Sequence, residues 1–345
     1  MNVKAKSRAR SLITVGIVVG TFATSAIVAA CSAEETKEEQ KQEEGIGLTQ
    51  IDPVANASEA STPVDATPSP DGTTIYFIAF TSRPDADGIR MERVPAIFKT
   101  SAAPGGAPVK LFDGAPLMSP FGITISDDGQ TLFIADSSAD GDEAAQRSDG
   151  RVFSMSVNGG SPTALAGTEG ITPAGIEASG ASLYVTGRKD GLPGLFKTGT
   201  SGGAVSAVAV GGPFSDPGGV AVARDGVAYV IDTGSAINGQ SLASVVKVTP
   251  DGKTEIILDG LSVGHPAGIA LVLDESAILV SGLDNAEGTD RVYRVQLGNR
   301  SVTRLSATIG EFYESAGLHR ARNVEVFAWA DSHANNHGTV YVLKP

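Results

Sequence analysis

The chain has 345 residues, of which 41% are hydrophobic, 19% charged and 6% aromatic, with 42 glycines and 18 prolines. That glycine and proline content calls for many turns but carries no collagen period, and the length allows one large domain or two ordinary ones. Acids outnumber bases 39 to 26, for a net charge of −13. A phosphate backbone would be repelled, so a nucleic-acid partner is excluded, and the scarcity of long amphipathic helical patterns argues against an α/β nucleotide fold.

The N-terminus carries Lys4, Lys6, Arg8 and Arg10 with no acid, then an apolar run from Leu12 to Ala30. The run ends in Val28-Ala29-Ala30-Cys31, after which the chain turns acidic. A basic n-region, an apolar h-region and small residues before a cut are the parts of an export signal. These four residues resemble the lipobox of bacterial lipoproteins. The resemblance implies a signal peptide over 1–30, cleaved before Cys31, and a lipid (palmitate included) on Cys31 as the mature N-terminus. Ser32, in place of an Asp, resembles an outer-membrane signal, with the protein in the cell envelope facing the periplasm or the surface. Cys31 is the single cysteine, which excludes a disulfide within the chain. Residues 31–45, rich in Glu, read as the lipidated cysteine and a solvated acidic tether.

Residues 46–345 contain an internal repeat. Its clearest copy is Pro120-Phe121-Gly122-Ile123-Thr124-Ile125, then Asp128-Gly129, then Leu132-Phe133-Ile134-Ala135-Asp136. It recurs from Pro173, Pro217 and Pro266, and degenerate copies start at Pro63 and Ser315. Each unit adds a third apolar run, from Ile97-Phe98 in the first to Val340-Tyr341 in the last, and five add a fourth, such as Glu255-Ile256-Ile257-Leu258. Four short strands joined by Asp-Gly and Gly-Gly turns make a propeller blade, so the expected fold is all-β, a six-bladed β-propeller with four-stranded blades. The sixth unit ends after its third strand, while Ile46-Gly47-Leu48-Thr49-Gln50-Ile51 precedes the first unit unassigned. An N-terminal strand over 46–51 completing the last blade is expected to close the ring.

In such a blade the residues just before the first strand and just after the second share one face. Before the first strands stand Thr62, Ser119, Thr172, Asp216, His265 and Glu314. Ending the second strands are Asp136, Asp232 and Asp331, with Asp284 two residues beyond the equivalent point in blade five. This polar, mostly acidic mouth is the candidate ligand or metal site, with Asp216, His265, Glu314, Asp136, Asp232 and Asp331 as its residues and Asp216 and Glu314 as the metal candidates for Ca²⁺ or another divalent cation. The competing reading is that Asp136, Asp232 and Asp331 serve their own loops as acceptors of backbone N–H groups. His333 and His337 read as a surface turn, the loop Asp136–Glu143 as a solvated acidic segment with a calcium site as the alternative, and His319 as a packed channel histidine.

The run Pro120-Phe121-Gly122 through Ala135-Asp136-Ser137, with its repeats, resembles NHL-type and gluconolactonase-like six-bladed propellers over residues 46–345. In the latter family an Asn or Asp beside the turn glycine helps to bind a divalent cation, and the activity is that of a lactonase. The matching positions here are Val64, Phe121, Ala174, Gly218, Ala267 and Ala316, none of which supplies a side-chain oxygen. The first expectation is therefore an exported, membrane-anchored lipoprotein whose propeller binds a protein partner or small ligand at the channel mouth, without catalysis. A metal-dependent hydrolase of the lactonase or esterase type with a rearranged site is the alternative, and a redox enzyme holding a cofactor on the same face is the third.

Overall fold

The computed structural model describes residues 50–56, 61–85, 87–138, 150–234, 242–263, 267–284, 289–305, 315–332 and 338–344. They form six antiparallel sheets of four strands each. The six innermost strands are Ser61–Pro68, Pro120–Ile125, Ile171–Ser179, Pro217–Val222, Gly268–Leu271 and Ser315–Arg320. Each touches the inner strands of the two flanking blades, and the circuit closes between blade six and blade one. The molecule is a six-bladed β-propeller.

Alternation along each strand sends one set of apolar side chains to each neighbouring blade, so the core is divided into interfaces between blades. Six buried clusters result, one per interface. Between blades five and six, Trp329 is fully buried and stacks on Tyr341 at 5.5 Å between ring centroids. Local turns follow the sequence signals. Asp128 Oδ1 accepts from the Gln130 N–H at 3.0 Å, and Gly129 takes the positive φ of 71° that the turn requires.

The ring closes through an N-terminal strand on the last blade. The fourth strand of blade six is described over Gln50–Asn56, antiparallel to Thr339–Lys344, and residues 46–49 of the expected 46–51 lie outside the described residues. Pro53 lies within this strand, where an outermost position tolerates a missing N–H, and the register shifts between Pro53 and Ala55. Val54 is fully buried in the cluster shared by blades six and one.

Inner and second strands share a repeated irregularity. Their register shifts between Pro120 and Gly122, Pro173 and Gly175, Pro217 and Val220, and Ala316 and Leu318. This bulge carries the Pro-X-Gly motif and turns the inner strands together at the mouth. A Cβ on Gly175 would lie 2.6 Å from the Gly218 carbonyl oxygen, and one on Gly219 would lie 3.0 Å from the Ile269 nitrogen. The glycine of the repeat is thus required by backbone against backbone.

Candidate functional site

The mouth opens into a cavity of about 250 Å³ whose wall is built from the starts of the inner strands of blades three and four, with contributions from one, two, five and six. Apolar side chains form most of the wall, Phe121, Pro173, Ile176, Pro217, Val220 and Leu318 among them. Polar groups stand at the rim as Ser137, Thr172, Arg188 and Asp216, and at the floor as Asp65 and His319. Arg188 donates from Nη2 to the Ser215 carbonyl at 2.6 Å, which holds its guanidinium at the rim.

Of the acidic residues singled out in the sequence, Asp216 is exposed and lines the cavity. Asp136, Asp232 and Asp331 lie elsewhere, at 0–1% exposure inside their own blades. Asp136 accepts from the Met118 N–H at 2.8 Å through Oδ2, and from Ser119 and Ser138 at 3.0 Å through Oδ1. Asp232 repeats the arrangement with Ser215, Asp216 and Gly234 at 2.9, 3.1 and 3.2 Å. Each carboxylate ties the loop before its inner strand to the end of the second strand. Asp331 ends its strand in register with Ser315 and Thr339, and Asp284 ends the second strand of blade five. Cys31, His265, Glu314, His333, His337 and the 140–143 loop fall outside the described residues. Among the described residues, no three His, Cys, Asp or Glu side chains gather to hold a metal ion.

At the floor, His319 is the packed channel histidine the sequence suggested, with partners, Asp65 and Glu177, that the sequence did not single out. His319 is 6% exposed, with Nδ1 2.8 Å from Glu177 Oε2 and Nε2 3.4 Å from Asp65 Oδ2. Asp65 also accepts from the Ile123 and Ala66 N–H groups, both at 2.7 Å. Glu177 accepts from Arg322 Nη1 at 2.5 Å and from the Thr124 hydroxyl at 3.3 Å, while Arg322 Nε lies 3.3 Å from Asp127 Oδ1. With a carboxylate on each ring nitrogen, the imidazole donates in both directions and is charged. Burial opposes that charge, but Asp65 and Glu177 outweigh it and raise the His319 pKa to about 10. Burial likewise disfavours the Glu177 anion, yet Arg322 and His319 pull its pKa down to about 2. The two ring nitrogens face opposite ways, so the cluster is an ion chain without a common point for a metal.

A signal for this cluster was present in the repeat. Where blades two to six carry Gly122, Gly175, Gly219, Gly268 and Gly317, blade one carries Asp65. Two residues further on, where the others carry Thr or Ala, blade three carries Glu177 and blade six His319. Polar breaks in an interior column point into the channel, whereas the acidic column at the second-strand ends is part of the blade itself.

No protein-family model matches this sequence, and no curated protein matches it. Solved structures do resemble it. A protein of unknown function from Dyadobacter fermentans aligns with a TM-score of 0.58 at 11% identity, over 87% of this chain and 100% of that one. A chain of a nidogen/laminin complex aligns at 0.53 and 16% identity, over 71% and 79%. A putative TolB from Agrobacterium tumefaciens aligns at 0.52 and 16% identity, over 86% and 97%. At such identities the likeness is one of fold alone, and that fold is the β-propeller.

Proposed function

We propose that this chain is an exported, lipid-anchored binding module that receives an apolar group of a partner protein or small ligand in the cavity at the channel mouth. The observation that carries the reading is the apolar cavity of about 250 Å³, flanked on the same face by exposed apolar side chains of three consecutive blades. Ile89 (81% exposed) and Met91 stand on the long hairpin of blade one, Met118 and Phe121 (49%) beside blade two, and Leu192 on the hairpin of blade three. Apolar surface gathered around a concavity marks a site of association, since such area otherwise stays in contact with water at a cost. The chain enters the ring at Gln50, paired with Lys344 on the face away from the mouth. The neighbour from a nidogen/laminin complex is a precedent at the level of fold for a propeller within a protein assembly.

An apolar fluorescent dye tests the cavity. It should bind the native protein saturably at one site, and Ala174→Phe, which fills the cavity from its wall, should abolish that binding. Ile256→Ser, on an outer strand, should leave it unchanged. Equal binding by wild type and Ala174→Phe would remove the cavity from the proposal. The anchor has its own test: Cys31→Ser should leave the protein unprocessed or release it from the membrane fraction, and normal cleavage with retention on the membrane would refute lipidation there.

A further inference from the structure

His319 lines two cavities at once. Above it is the mouth cavity, with Asp65; below it is a space of about 30 Å³, with Glu177, Arg320 and Arg322. Around the histidine, blade one presents Asp65, blade two the Thr124 hydroxyl, blade three Glu177, and blade six Arg320 and Arg322. Blades four and five present Val220, Ala221, Ile269 and Ala270, which carry no charge. Arg320 donates to the Leu271, Ala321 and Arg322 carbonyls and has Glu325 and Arg224 near it, so its guanidinium is committed to blade six and blade five backbone. Arg322 reaches the Ile125 carbonyl and Asp127 in blade two as well as Glu177.

We propose that Asp65, His319, Glu177 and Arg322 form a charge latch across the channel axis, which holds the closing blade six to blades one, two and three, seals the mouth cavity from the opposite face, and opens when His319 loses its proton. The geometry demands the charge. A neutral imidazole has one N–H, so one of the two buried carboxylates would then face a ring lone pair across hydrogen-bond distance. Asp65 and Glu177 are 2% and 9% exposed, so a largely buried carboxylate loses a charged donor. The sequence change that makes the latch is coordinated. Asp65 occupies the slot of a glycine, and the space for its carboxylate exists because position 317 opposite is Gly; a Cβ there would overlap the Asp65 carboxylate.

The sign of the pH effect follows from the His319 and Glu177 pKa values. His319 titrates above its ordinary 6.5, so its contribution is complete below pH 6.5 and is lost as pH rises towards 10. Glu177 titrates below its ordinary 4.5, so its contribution is complete above that pH and is lost towards pH 2.

The test is denaturant unfolding of the full chain between pH 6.5 and 8.5, in wild type and His319→Gln, with nitrogen NMR of the histidine rings. Release of one proton raises the wild-type unfolding constant by up to about tenfold per pH unit in this window, and His319→Gln should lack that rise. One ring, absent from the variant spectrum, should remain doubly protonated at pH 8. If His319→Gln does not fold, Glu177→Gln serves instead, and the titration of the slowest ring should move down by at least about one pH unit when the anion is removed. Parallel slopes in wild type and variant, or four histidine rings all neutral at pH 8, would overturn the latch.

Discussion

At the ends of the second strands, single carboxylates hold loops in place. Asp136 takes three backbone N–H groups and Asp232 three more, so removing either side chain leaves buried donors without an acceptor. Asp136→Ala should destabilise the fold by about 1–3 kcal/mol in urea unfolding, equally with and without millimolar calcium. A loss that appears only with calcium would return Asp136 to the metal candidates. Gly317 has φ 59°, where a side chain costs about 1–3 kcal/mol before any contact is considered. Gly317→Ala should exceed that cost, because the new methyl group displaces the Asp65 carboxylate. Repeating the substitution in an Asp65→Gly background should reduce the penalty, and a double-mutant cycle reads the difference as coupling between the two sites.

Among the elements, the closing strand has the largest consequence. Without Gln50–Asn56, the strand Thr339–Lys344 becomes an unpaired edge and the apolar cluster between blades six and one loses Val54. Deleting 32–45 should leave the melting temperature nearly unchanged, whereas deleting 32–56 should destabilise by several kcal/mol, on the order of a lost strand's apolar burial. Equal melting temperatures would mean that the ring does not depend on this strand. Trp329, the single tryptophan, is buried in the same blade and provides a fluorescence signal for the comparison.

Across the whole molecule, six separate interface clusters meet at a charged axis. Apolar packing binds each blade to its neighbours, and the ion chain connects blade three with blade six, which face each other across the channel. Stability should therefore be highest between about pH 4.5 and 6.5, where both Glu177 and His319 hold their charges. In acid, wild type should lose stability below pH 4.5 more steeply than Glu177→Gln, as read by unfolding midpoints at pH 3 and pH 5. Identical acid limbs would separate Glu177 from the acid response.

The blade count, the strand sequence within each blade and the need for an N-terminal strand to close the ring are legible in the sequence, because strand period, Asp-Gly turns and Pro-X-Gly bulges are local and recur, in full or degenerate form, along six units. The same repetition obscures function. The aspartates it repeats bond to backbone within their own blades, and only side-chain orientation reveals that Asp136 and Asp232 are buried away from the mouth. The closing register around Pro53 was equally out of reach, since an edge position is defined by a partner nearly three hundred residues away in the chain. The latch joins positions 65, 177, 319 and 322. The departures at 65, 177 and 319 stand in the sequence one at a time, but closing the ring is what brings blades one, three and six to a common axis and converts isolated exceptions into one buried ion chain.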